Sequence, residues 1–132
     1  MQMVHVLVGA ARRLSRPECQ RVLEEFRDGS GRLLQTALDR RHQTAAEYLS
    51  SLSFVDGENE PLCRSNSAIF AFTRPGSGVI RICSPTFEAL FARDSSTSEI
   101  LVIHEFLHSL GLGENPPTSA DITTRVMMRC GG

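Results

Sequence analysis

A surplus of charge is missing from this sequence: 14 basic against 15 acidic residues leave a net charge of −1 over 132 residues. Balanced, interspersed charge offers no footprint for nucleic acid or for an anionic membrane surface, so neither is expected as a partner. No apolar run approaches the roughly 20 residues that a membrane span requires. None of the four cysteines stands in a C-x-x-C pair, which argues against a cysteine zinc site. Internal repeats and low-complexity tracts are absent too. What remains is ordinary globular composition, 41% apolar and 22% charged, enough for one domain over residues 1–132 with its own core.

Histidine is also scarce, and two of the four histidines fall in His104-Glu105-Phe106-Leu107-His108, the spacing H-E-x-x-H. Four residues is a little more than one helical turn, so on a helix His104 and His108 point the same way and can share one Zn²⁺. Glu105 adjoins the first ligand, where its carboxylate can act as general base toward a water activated by the metal. The surroundings predict a helix. Ser96-Thr97-Ser98-Glu99 has the S-x-x-E form of a capping box with Ser96 as N-cap, and the run from Ile100 is apolar on all sides apart from the motif. Gly111 suits the C′ position that ends it. A buried helix carrying two histidines and a carboxylate must supply them with partners, and a metal is one such partner. The alternative is a core helix whose histidines bond nearby carbonyls.

Past His108 the chain reads Ser109-Leu110-Gly111-Leu112-Gly113-Glu114, which sets a carboxylate six residues beyond the second histidine. The pattern resembles the metzincin arrangement H-E-x-x-H-x-x-G-x-x-H, with Gly111 at the glycine and Glu114 in place of the last histidine. A carboxylate is an acceptable zinc ligand, so Glu114 is the expected third one. Asp121 is the alternative third ligand, although Thr118-Ser119-Ala120-Asp121 also reads as the capping box of a helix over Ile122 to Arg129. Asn115 is a weaker candidate, an amide being a poor zinc ligand.

The rest of the chain predicts helices, then a hairpin. Met1 to Ala11 lacks the basic start and the apolar length of a signal peptide and reads as a short strand or an artificial start. Ser15-Arg16-Pro17-Glu18 signals a helix from about Pro17 to Phe26, broken by Asp28-Gly29-Ser30-Gly31. Further helices are expected over Leu33 to Arg41 and Thr44 to Leu52, the latter with a Thr44–Glu47 box and core-facing Tyr48 and Leu52. Val55 to Asn66 reads as a loop with a turn at Asp56-Gly57. Ile69 to Thr73 and Val79 to Cys83, joined by Arg74-Pro75-Gly76-Ser77-Gly78, read as a β-hairpin. Its edge could pair with an extended substrate, or the hairpin could simply cover the helix.

The stretch from Cys63 to Phe87, followed by the motif at His104 to His108, resembles the deuterolysin-type (aspzincin) metallopeptidases over roughly the C-terminal half of the chain. In that family a cysteine pair brackets an A-x-T-x-P-x-S hairpin ahead of the zinc helix. The resemblance implies a zincin fold and secreted endopeptidase activity. The family's G-T-x-x-D element, source of an aspartate ligand, is missing here. The expected fold is therefore α+β: a small zincin-like domain of N-terminal helices, a β-hairpin or small sheet on the zinc-binding helix, and a short C-terminal helix. Four cysteines allow two disulfides in three connectivities. A hairpin that brings its ends together, and the resemblance, favour Cys63–Cys83, which leaves Cys19–Cys130 to tie the first helix to the last. Disulfides imply an oxidising compartment, secreted or periplasmic; the alternative is four buried thiols in a cytosolic protein.

The activity expected from these residues is that of a monomeric zinc endopeptidase with one Zn²⁺ per chain and a peptide or protein substrate. His104, His108 and Glu114 hold the metal, and Glu105 moves the proton. Tyr48, His5, His42, Arg125 and Arg129 are candidates for stabilising the oxyanion, with none assigned. Met127-Met128 could form a metzincin-like floor under the zinc, or plain core filling. Only 18 residues follow Glu114, which leaves a small lower half to the cleft and suggests narrow specificity, latency or lost activity. The contrasting expectation is a non-catalytic zincin-fold module that binds another protein around a structural zinc. Retention of Glu105 speaks for catalysis, because a structural site needs no base.

Overall fold

Residues 3–132 are described by a computed structural model of the chain, and Met1 and Gln2 lie outside them. Helix α1 (Met3–Leu14) occupies the segment whose valines suggested a strand. Val6, Ala10 and Leu14 recur at four-residue spacing and are fully buried, so tertiary packing overrides the β preference of valine. The helix expected at 17–26 is split into α2 (Pro17–Gln20) and α3 (Val22–Glu25). Around Arg21 the bonds tighten to three-residue spacing, Arg21 N–H to Glu18 O at 3.3 Å and Glu24 N–H to Arg21 O at 3.0 Å. Ser15 is not the cap. Its hydroxyl donates to Ala11 O at 2.8 Å, while Glu18 accepts from Arg129 at 2.9 Å.

Helices α4 (Leu34–Arg41) and α5 (Ala45–Ser51) follow as expected. The α5 box is complete: Glu47 N–H donates to Thr44 Oγ1 at 3.1 Å and Thr44 N–H to Glu47 Oε1 at 2.8 Å. Tyr48 and Leu52 are buried. The stretch expected to be a loop instead holds strand β1 (Ser53–Asp56) and helix α6 (Pro61–Ser65). The Asp56-Gly57 turn comes just after the strand, with Glu58 N–H bonded to Asp56 Oδ1 at 2.9 Å. The hairpin is present but short, with β2 (Ala71–Phe72) antiparallel to β3 (Val79–Ile82). β1 joins the other side of β3 in parallel, Phe54 opposite Ile80, to make a three-stranded sheet in the order β1-β3-β2. Helix α7 (Ser84–Arg93), with Pro85 in its first turn, was not anticipated and buries Phe87 and Leu90.

Helix α8 (Ser95–Ser109) carries the motif and is the centre of the molecule, packed against α1, α7, the C-terminal helix α9 (Ser119–Cys130) and the sheet. Phe106 and Ile103 are fully buried, and Phe106 meets the edge of the Tyr48 ring at 5.7 Å. The cap of α8 is Asp94 rather than Ser96, with Thr97 N–H donating to Asp94 Oδ1 at 3.0 Å. Both members of the expected box are engaged elsewhere, since Arg13 donates to Glu99 at 2.7 Å and to Ser96 Oγ at 2.9 Å. The chain is thus α+β, with both disulfides formed, Cys63–Cys83 beside the sheet and Cys19–Cys130 between α2 and α9. Two disulfides fit an oxidising, extracellular-type environment. Among the described residues no helix is long and apolar enough to cross a membrane.

Candidate metal centre

Helical spacing brings His104 Nε2 and His108 Nε2 to 3.1 Å from each other on one face of α8. The helix then ends in a Schellman motif: Leu112 N–H donates to Leu107 O at 3.2 Å and Gly111 N–H to His108 O at 2.9 Å. Gly111 sits at φ +120°, and a Cβ there would lie 3.0 Å from Asp28 Cβ, so both conformation and space demand glycine. That reversal carries Glu114 back under the helix, its Oε1 at 3.2 Å from His108 Nε2 and 3.8 Å from His104 Nε2. The three ligand atoms lie within 4.8 Å of one another.

A backbone carbonyl sets the tautomer of His108. His108 Nδ1 is 2.7 Å from Leu112 O, a pure acceptor, so Nδ1 carries the hydrogen and Nε2 presents its lone pair. His104 Nδ1 is 2.9 Å from Thr123 Oγ1 on α9, which can accept in the same way. With His104 in that same tautomer two lone pairs face each other at 3.1 Å, a repulsion that a cation between them would relieve. Ligands about 2.0–2.1 Å from a tetrahedral metal stand roughly 3.3 Å apart, close to the spacings seen among the histidine nitrogens and Glu114. The donor set therefore fits a divalent cation.

Electrostatics point the same way. Burial, with a smaller contribution from His108, pushes the His104 imidazole down to about 4, so it stays neutral and free to ligate. Glu105 is buried beside the cluster, its Oε2 4.0 Å from His104 Nε2. Desolvation first, and repulsion from Glu114 second, push its carboxyl up to about 8 in the metal-free chain. A carboxyl held close to neutrality can take up and release a proton near pH 7.

The cluster opens onto a cleft of about 1030 Å³ walled by α8, by β2 with its flanking residues 68–75, and by α6. Asp121 is exposed in the first turn of α9, its N–H bonded to Thr118 Oγ1 at 3.1 Å, and is outside the cluster. Asn115 is exposed and does not line the cleft. Tyr48 does not line the cleft; its hydroxyl donates to Ser109 O at 3.2 Å inside the core. His5 and His42 are exposed away from the cleft, and Arg125 and Arg129 are paired with Glu25 across α9 and α3. Met127 and Met128 are 53% and 66% exposed, so they form neither a floor nor core. Sequence reasoning missed Thr123, 19 residues from its histidine, because no spacing rule links the two. Arg74 and Leu101, on the cleft wall, were passed over as turn and core residues.

No protein-family model, curated protein or solved structure matches the chain.

Proposed function

We propose that this protein is a zinc-dependent endopeptidase of zincin type, acting in an oxidising compartment, with His104, His108 and Glu114 as ligands. The observation that carries the reading is a buried carboxylate, Glu105, standing beside a convergent histidine–histidine–glutamate cluster without belonging to it. A structural site would have no use for such a group. Bound at the cluster, zinc supplies a Lewis acid that polarises a carbonyl and acidifies water.

The residues of the chain do the rest. Leu112 O and Thr123 Oγ1 hold the two imidazoles in the ligating tautomer. The outer edge of β2 is unpaired within the sheet and borders the cleft, so the backbone of an extended peptide can add there as a further strand. Glu105 takes a proton from the attacking water and returns it to the departing amine nitrogen. The burial that raises its affinity for the proton also keeps bulk water from exchanging it.

The test is Glu105→Gln assayed on an unfolded protein such as casein. Fold and zinc content should be retained while hydrolysis falls by about 10² or more. Equal inertness of wild type and variant on every unfolded substrate would leave a structural-metal binding module as the better account.

A further inference from the structure

Two arginines line the cleft that opens on the cluster, Arg74 and Arg81. Arg81 is engaged, its Nε lying 3.4 Å from Glu60 Oε1. Arg74 is exposed, and its guanidinium has no hydrogen bond or ion pair to any described residue. Its backbone, in contrast, is tied down. Arg74 opens a β-turn in which its carbonyl accepts from Ser77 N–H at 3.0 Å, with Pro75 and Gly76 at the central positions. Gly76 has φ +81°, the left-handed conformation required at the third position of a type II turn. The same Gly76 donates its N–H to His108 O at 2.9 Å, so the turn is bonded to a residue that bears a ligand nitrogen.

The result is an arginine whose backbone is anchored on the cleft wall and whose side chain is unengaged. Arg74 lies two residues past the end of β2 (Ala71–Phe72), an edge strand. A peptide paired to that edge must pass the guanidinium as it leaves the cleft. Arg81 is committed to Glu60, so Arg74 is the cleft arginine left to meet an anion, while a dication at the cluster would offset the carboxylates of Glu105 and Glu114.

We propose that Arg74 is a specificity-determining residue that selects peptides presenting a carboxylate beside the turn, whether an acidic side chain or the peptide's own C-terminus. The proposal rests on the peptidase reading above. An exposed guanidinium–carboxylate pair is worth up to about 1 kcal/mol, or about five-fold in affinity, and salt weakens it.

The test measures binding of fluorescent decapeptides to the zinc-loaded full chain carrying Glu105→Gln, so that nothing is cleaved. One set is amidated and scans a single Glu through the sequence, a second has Gln at those positions, and a third has Gln with a free C-terminal carboxylate. At low salt the best carboxylate-bearing peptide should bind about five-fold tighter than its Gln amide counterpart. Which set shows the gain identifies the source of the carboxylate. Arg74→Ala should abolish the preference, Arg74→Lys should keep it, and Arg74→Glu should turn it toward Lys-containing peptides, all with unchanged zinc content. An equal preference in Arg74→Ala and in the parent overturns the proposal. Casein cleavage by the native chain without any carboxylate preference overturns this proposal alone, whereas failure of every peptide to bind and of casein to be cut overturns the peptidase reading as well.

Discussion

The two walls of the cleft are built on opposite terms. On the helical wall every residue from Val102 to Ser109 is buried, polar ones included. On the sheet wall only Ile80 and Ile82 of the three strands are buried, and β2 is half-exposed throughout. A buried polar group is tolerated when it has a partner. Among the described residues every buried side-chain nitrogen or oxygen has at least one within hydrogen-bonding distance, the two histidine Nε2 atoms having each other and that of His108 also Glu114. The helical wall is therefore stiff and chemically committed. The sheet wall leaves backbone groups and side chains free for whatever enters, which suits a surface that has to accept a changing ligand.

The largest effects should come from breaking the helical wall. His108→Ala should remove zinc from a chain that otherwise carries close to one ion, read by metal analysis after dialysis, because two remaining ligands hold zinc poorly. Full occupancy in a His104→Ala/His108→Ala double variant would end the metal reading. Glu114→Ala should weaken zinc binding while leaving the imidazoles in place.

Next come the disulfides, one joining α2 to α9 behind the helical wall and one beside the sheet. Cys19–Cys130 closes a loop of sequence separation 111 and Cys63–Cys83 one of 20. Replacing the first pair by serines should cost about 4–5 kcal/mol and the second about 3 kcal/mol in chemical denaturation under non-reducing conditions. The reverse order would mean that loop length does not set the contribution of these bridges.

A smaller effect is the pH dependence of the metal-free protein. Glu105 has a carboxyl raised from 4.5 to about 8, so the folded chain binds more protons than the unfolded one across that window and stability falls as pH rises through it. His104, lowered from 6.5 to about 4, works in the opposite sense and only below about 6.5. Between pH 6.5 and 8 Glu105 acts without that opposition, and unfolding free energy should drop by on the order of 2 kcal/mol in metal-free wild type. Metal-free Glu105→Gln should stay flat over the same range. The smallest change is Asp121→Ala, which removes an exposed carboxylate from the first turn of α9. It should cost about 0.5 kcal/mol and leave zinc affinity unchanged; loss of metal in that variant would exchange the third ligand.

Local rules survived where nothing distant competed with them. The Thr44–Glu47 box forms as written because no arginine reaches it. The boxes read at Ser15–Glu18 and Ser96–Glu99 have the same form and do not form, because Arg129 and Arg13 claim their carboxylates from more than 80 residues away along the chain. An arginine meets the carboxylate with a full opposite charge where a backbone N–H offers only a dipole, and a window of a few residues does not contain that partner. β1 was invisible for a related reason. Ser53–Asp56 is a strand because β3 offers it a parallel partner, which its own residues do not announce.

For the site itself, the order of residues was enough to put His104, Glu105 and His108 on one turn of helix and to end that helix at Gly111. Each step depends on helical period or on the φ of a single residue, and both are local. Glu114 was expected from a metzincin-like spacing with Asp121 as the alternative, and the structure brings Glu114 to the histidines. The Cys63–Cys83 bridge was expected from a hairpin together with the deuterolysin-type resemblance, and it forms with Cys63 on α6 and Cys83 just past β3. Only the tertiary structure decided that Thr123 of α9 meets His104, that Tyr48 lies in the core instead of the cleft, and that the Arg74 turn is bonded to His108. Those contacts join elements that are distant along the chain, and packing around α8, not spacing, selects which side chains meet.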